Sequence, residues 1–266
     1  MKVAFAAGVN LTTLLAFRFL FSAALCIGAL RFKGQSLVLP RAYWPRILVL
    51  GGLVHVAVSI LYTLSVQLLP ASLTGLIFYL YPAMVTGLAV LIGREALNRL
   101  KLAALLVCFA GLLQVLGVSF GAVSTAGLLF GVVAAFGQAC HVLLSHSIVT
   151  TLSPLLTVGW SALTTSAVFI VYGAISGELQ LTLPPVAWAA LFGTAFFANF
   201  IGIVLFFAGM RLVGPSDASI VMNLEPVLTV VLSVLLLGES FGWPQAAGGA
   251  IILAGLFILH RGEAVE

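Results

Sequence analysis

The chain has 266 residues, 62% of them hydrophobic and 7% charged, with a formal net charge of +4 and a mean hydropathy of +1.26. Soluble domains carry about 25% charged residues, so this composition excludes a water-soluble globular protein and describes one whose solvent is the lipid bilayer. The basic residues are scattered among apolar runs and never cluster with aromatics, which excludes a nucleic-acid-binding face.

The first apolar run, over 12–31, has no small-residue cleavage site and is followed by further runs, so it reads as an uncleaved anchor. Eight more runs follow, at 46–68, 71–92, 100–118, 125–148, 154–176, 186–210, 216–237 and 244–260. Each is near the ~20 residues that a helix needs to cross a ~30 Å hydrocarbon core. Pro45, Pro70, Pro154, Pro185, Pro215 and Pro244 stand at or just before their starts, where a missing N–H costs nothing. The short alternating segments of a transmembrane β-barrel are absent. The predicted fold is therefore an all-α integral membrane protein of about nine spans. Cys26, Cys108 and Cys140 lie inside apolar runs without metal-ligand spacing and read as packing residues; no disulfide, metal or cofactor is expected.

Polar groups punctuate these runs. Arg18 lies about two turns into the first, within snorkelling reach of the outer surface, and His55 sits in the second. In the third, Tyr79 and Tyr81 precede Pro82; two residues apart on a helix is about 200° around it, so both cannot face a narrow cavity. Glu95 ends that run beside Arg94, Arg99 and Lys101, and with Glu239 it reads as a structural charge at a helix end. Gln138 and His141 share one face of 125–148, with His146 off it; an intramembrane His serves either as a proton relay or as a hydrogen-bonded helix contact. Asn199 lies in 186–210. The 216–237 run holds Asp217 as a candidate N-terminal cap, then Asn223, Glu225 and Pro226. Glu225 is the acidic residue deepest in any run, and either contacts substrate or a proton or bonds neighbouring helices and holds the kink at Pro226. Pro82 and Pro226 each remove one backbone bond and are expected to free the carbonyls of Phe78 and Met222. Asn223 and Glu225 carry the same restriction as the two tyrosines, and Glu225 and Tyr81 are favoured as the cavity-facing residues because both directly precede a proline. Gly248 and Gly249 offer a small-residue surface for packing within the chain or in a homodimer.

Arg31, Lys33, Arg41, Arg46, Arg94, Arg99, Lys101, Arg211 and Arg261 all fall on one side of the threaded chain. The opposite loops, around Leu69, Phe120, Gly177 and Glu239, contain no Lys or Arg, so the positive-inside bias places the C-terminus, with its tail 262–266, in the cytoplasm. Residues 59–115 align without a gap on 203–259, which puts Ser72 on Ser216, Pro82 on Pro226 and Glu95 on Glu239. The same offset of 144 sets His55 on Asn199, Tyr79 on Asn223 and Tyr81 on Glu225, groups expected to converge near the repeat interface. Aligning Leu11–Leu15 with Leu152–Leu156 leaves a first helix largely missing from the first copy. Each copy would otherwise hold five helices, and an odd number inverts the second relative to the first. The expected organisation is a first repeat at 1–119, lacking most of its first helix, and a second at 124–261. Either the start codon is misplaced or a nine-helix variant exists.

Asn223-Leu224-Glu225-Pro226, followed by Leu237-Gly238-Glu239, Gln245, Gly248 and Gly255, resembles the second EamA domain of the drug/metabolite transporter superfamily. Tyr81-Pro82, Gly93-Arg94-Glu95 and Gly111 resemble the first, and Arg18-Phe19-Leu20 resembles an element of the family's second helix. The resemblance covers nearly the whole chain. It implies ten helices, a central cavity between the repeats, and export or facilitated movement of amino acids or similar small metabolites. The chain departs from the family at its start, where a Trp-Gly element is absent, and at Phe136-Gly137-Gln138, where the family often has a tryptophan. The expected function is a secondary transporter in the inner or plasma membrane, working on a small-molecule substrate by alternating access. No GxxxxGK[ST] segment is present, which excludes an ATP-driven single-chain pump. An intramembrane enzyme is the alternative, but HExxH and a carboxylate dyad are both missing; a non-transporting helical protein would not need the duplication.

Overall fold

In a computed structural model, residues 2–96, 98–117, 124–237 and 242–263 are described. Their regular elements are all helical: α1 (Lys2–Ala6), α2 (Leu11–Phe32), α3 (Arg41–Leu68), α4 (Ala71–Phe78), α5 (Tyr81–Leu91), α6 (Arg99–Val115), α7 (Thr125–Val149), α8 (Pro154–Ser176), α9 (Pro185–Val213), α10 (Pro215–Val221), α11 (Leu224–Leu237) and α12 (Trp243–Glu263). Helix occupies every apolar run read from the sequence. Among the described residues seven stretches are long and apolar enough to cross a membrane: α2, α3, Ala71–Leu91, α7, α8, α9 and Trp243–Arg261. Of the remaining two runs, α6 has 17 residues and 216–237 forms α10 and α11.

The helix ends follow from local chemistry. The side chains of Asn10, Asn98 and Ser153 accept from the backbone N–H groups of Thr13, Leu100 and Leu156, capping α2, α6 and α8. Pro154, Pro185 and Pro215 open α8, α9 and α10. Gly177, at φ 73°, terminates α8 in the left-handed region that a side chain would disfavour.

The chain forms two compact units, one of Met1–Val56 with Leu144–Leu212 and the other of Ala57–Leu143 with Val213–Glu266. In the first, α2 and α8 pack antiparallel: Thr12 lies against Gly173, the Ser166 hydroxyl donates to the Ala16 carbonyl at 2.8 Å, and Cys26 lies against Gly159. Leu14, Leu15, Phe19, Phe169 and Leu191 fill the core around that pair. The turn after α8 clasps the start of α2, with Thr12 donating to Glu178 Oε2 at 2.6 Å and Gln180 N donating to Thr13 Oγ1 at 2.9 Å. Asn10 joins the clasp, donating its backbone N–H to Gln180 Oε1 at 2.9 Å and its side-chain amide to the Glu178 carbonyl at 2.6 Å.

In the second unit, α6 and α12 come into backbone contact. A Cβ at Gly111 would lie 2.7 Å from the Gly248 carbonyl oxygen, and one at Gly255 would lie 2.6 Å from Cys108 Sγ and 3.2 Å from the Ala104 carbonyl oxygen. These contacts are reciprocal under the 144-residue offset, which carries Gly111 to Gly255, Ala104 to Gly248 and Cys108 to Ile252. The Gly248 surface is thus used within the chain. Cys108 donates its thiol to the Ile252 carbonyl at 3.7 Å, the packing role expected of it.

Two features escaped the sequence pattern. Leu48–His55 in α3 and Ala195–Ile203 in α9 are wound as π-helix. The extra residue per turn shifts the register of everything that follows, and such turns recur where a helix must aim a functional side chain. His55 and Asn199 both lie in these wide turns.

Candidate functional site

The second unit gathers aromatic and acidic side chains around a helix break. Pro82 cannot supply the N–H that would continue the helix, so the chain turns at Tyr79–Leu80 between α4 and α5. That turn changes the geometry expected of the two tyrosines. Their ring centroids lie 6.3 Å apart instead of on opposite sides of one helix, because 79 and 81 belong to different segments. Phe78 joins them, 5.8 Å from the Tyr81 ring and 5.0 Å from the Tyr62 ring of α3.

Pro226 has a matching effect. α10 ends at Val221 and α11 begins at Leu224, and the buried Asn223 donates its side-chain amide to the Ile220 carbonyl at 2.8 Å. The Met222 carbonyl is not freed as expected: the Glu225 N–H, three residues on, donates to it at 3.0 Å. A tightened turn has taken over the bond that the proline cannot make.

Glu225 leaves this break with its side chain exposed, and the Tyr79 hydroxyl donates to its Oε2 at 3.3 Å. Tyr79 is thus the hydrogen-bonding partner of Glu225, and Tyr81 is buried. Tyr62 and Phe78 were missed from the sequence. Tyr62 had a usable signal, standing seven residues from His55 on one helical face.

Elsewhere in this unit, Gln138 is half-buried and His141 is buried within α7. Glu239 lies outside the described residues. Glu95 does more than end a helix. Its Oε2 accepts from Lys101 Nζ at 3.0 Å and its Oε1 from the Ser216 N–H at 3.3 Å, while Lys101 also meets Asp217 Oδ1 at 2.9 Å. The Ser216 N–H at the start of α10 is therefore met by Glu95 from 121 residues away, while Asp217, in the first turn of α10, meets Lys101. Burial, the largest influence, would raise the Glu95 carboxyl; its interactions with Ser216 and Lys101 together outweigh that and hold it below its ordinary range. A carboxyl lowered in the fold contributes stability that is complete above the unfolded value and fades as pH falls through the folded one. The thermal midpoint of the purified protein is accordingly expected to drop as pH falls below about 4.5, and Glu95→Gln to flatten that drop; a variant with the parent's acid profile contradicts this.

In the first unit the polar groups are basic or neutral. The Arg18 guanidinium lies over the Phe19 ring, 4.7 Å from its centroid, and His55 meets Phe19 edge-on at 4.9 Å. Arg18 does not snorkel outward: its Nε is buried. Asn199 is buried, and its Nδ2 has no hydrogen-bond partner among the described residues. Among the described residues no three His, Cys, Asp or Glu side chains converge as a metal site.

Comparison with known proteins places this arrangement. The EamA-like transporter family matches residues 1–117 and again 125–261. A protein of Archaeoglobus fulgidus named an uncharacterized transporter is 27% identical over 201 residues, 75% of this chain and 71% of the relative. The uncharacterized inner membrane transporter YicL of Salmonella typhimurium is 26% identical over 214 residues, 76% of this chain and 68% of the relative. One crystal structure shares the fold, with a TM-score of 0.82 over 94% of this chain and 88% of its own, at 21% identity. With seven apolar helices of membrane-spanning length among its described residues, the chain is a multi-pass membrane protein that belongs to the EamA-like transporter family.

Proposed function

We propose that this protein is a secondary transporter that exports amino acids or related small metabolites, exposing one substrate site alternately to each face of the membrane. The observation that carries this reading is Glu225, an exposed carboxylate within an apolar run, hydrogen-bonded by Tyr79, whose ring belongs to an aromatic cluster with Tyr81, Phe78 and Tyr62. A carboxylate at that depth is too costly to face lipid and belongs against water or a solute. Carboxylate and phenol oxygens accept from an ammonium group, and aromatic faces attract the same cation. The breaks at Tyr79–Leu80 and Met222–Asn223 supply hinge positions, since each ends one helical segment and begins the next. The basic loops favour a cytoplasmic C-terminus, and the name of YicL favours an inner membrane.

Purified protein in liposomes should exchange labelled amino acids down a gradient. Glu225→Gln keeps the shape of the side chain and removes its charge, so it should slow exchange about tenfold to a hundredfold and flatten the dependence of rate on pH. Tyr79→Phe, which removes one hydrogen bond, should slow it by only a few-fold. Silence across the full panel of amino acids would sink the substrate class, and a Glu225→Gln protein with the parent's rate and pH profile would remove Glu225 from the site.

A further inference from the structure

We propose that Arg18 is a carboxylate-binding residue, taking the acid group of the transported solute. This deepens the amino-acid reading above and rests on it. Arg18 lies in the second turn of α2, inside a run that spans the membrane. No described carboxylate forms an ion pair with it, and its Nε is buried without a hydrogen-bond partner. One turn further along the same face, Ser22 is fully buried and its hydroxyl also lacks a partner among the described residues. A helix carrying two such groups against an apolar core is less stable than one carrying neither, unless something that comes and goes completes them.

The chemistry of that missing partner follows from the guanidinium. It is permanently charged, planar, and presents its N–H groups in a fork that fits a carboxylate with two parallel bonds. The guanidinium carbon lies over the Phe19 ring, 4.7 Å from its centroid, and His55, edge-on to Phe19 at 4.9 Å, steadies that ring. Arg18 is thus held against an aromatic ring while its buried Nε stays without a partner among the described residues, which suits a ligand that completes the fork. A free amino acid brings such a group; its amide does not.

The test uses the full chain in lipid nanodiscs. Phenylglyoxal labelling of arginine is followed at the Arg18 peptide by mass spectrometry, in the presence of each of a panel of L-amino acids, its amide, or inorganic phosphate. At least one amino acid should slow Arg18 labelling three-fold or more while its amide and phosphate leave it unchanged. In liposomes, Arg18→Lys should raise the KM for that amino acid about tenfold and Arg18→Gln about a hundredfold, with exchange of the amide unaffected. Equal protection by acid and amide, protection by phosphate, or an Arg18 that never labels overturns the proposal. Should an acid protect Arg18 while no amino acid is exchanged, the transport reading fails and the binding site stands. Exchange that proceeds in Arg18→Gln with the parent's preference for acid over amide rejects the site and leaves the transport reading intact.

Discussion

Lys101→Met is expected to lose most of the protein's folded stability at neutral pH and to recover part of it in mild acid. Lys101 Nζ bridges Glu95 at 3.0 Å and Asp217 at 2.9 Å, and all three side chains are 15% exposed or less. Removing the shared cation leaves two largely buried carboxylates without their counter-charge. Breaking a buried pair in this way costs about 3–5 kcal/mol, a large share of the total for most domains. The pH dependence then changes sign. In the parent, Glu95 is held below its ordinary range and acid weakens the fold. Without Lys101, burial and the neighbouring Asp217 favour the protonated carboxyl, so the variant should be more stable at pH 5 than at pH 8. Adding Glu95→Gln and Asp217→Asn to Lys101→Met should restore most of the loss, because neutral groups need no counter-charge. Unfolding midpoints in mixed micelles across pH measure all three proteins. A Lys101→Met midpoint equal to the parent's at neutral pH would show that water, not Lys101, neutralises the pair.

That ion triad also marks the limit of what the sequence disclosed. The apolar runs were legible because each helix must bury its own backbone bonds in lipid, and hydropathy records that need residue by residue. Capping at Asn10, Asn98 and Ser153 is written within three residues and could be read in the same way. The contact of Glu95 with the start of α10 could not, since its partner lies 121 positions on and Asp217 offers a nearer, plausible cap. The spacing of the tyrosines was not legible for a different reason. A 200° separation holds for an unbroken helix, whereas the chain breaks between Phe78 and Tyr81. The π turns at Leu48–His55 and Ala195–Ile203 leave no mark on hydropathy, yet they set where His55 and Asn199 point. Glu225 was identified on depth alone; which hydroxyl meets it depended on the break.

Gly248→Ala should destabilise the protein although alanine is the better helix former, while the same substitution at Gly209 should be neutral or stabilising. The two sites differ only in what a methyl group would meet. At Gly248 a Cβ would lie 2.6 Å from the Gly111 carbonyl oxygen and 2.8 Å from Val115 N, both backbone atoms that cannot rotate away. At Gly209 nothing lies within 4 Å, so the gain in helix propensity of roughly 0.5–1 kcal/mol stands alone. The Gly248 methyl must push α12 off α6, and overpacking of that kind costs about 1–3 kcal/mol. In lipid the loss is not softened by any hydrophobic preference for keeping helices together, because close backbone approach is itself the source of the attraction. Gly111→Ala should behave in the same way, its Cβ falling 2.7 Å from the Gly248 carbonyl oxygen. The double variant should then lose less than the two singles combined, since one methyl has already opened the gap that the second needs. Strict additivity of the unfolding midpoints would mean that each methyl is accommodated locally and that α6 and α12 keep their spacing.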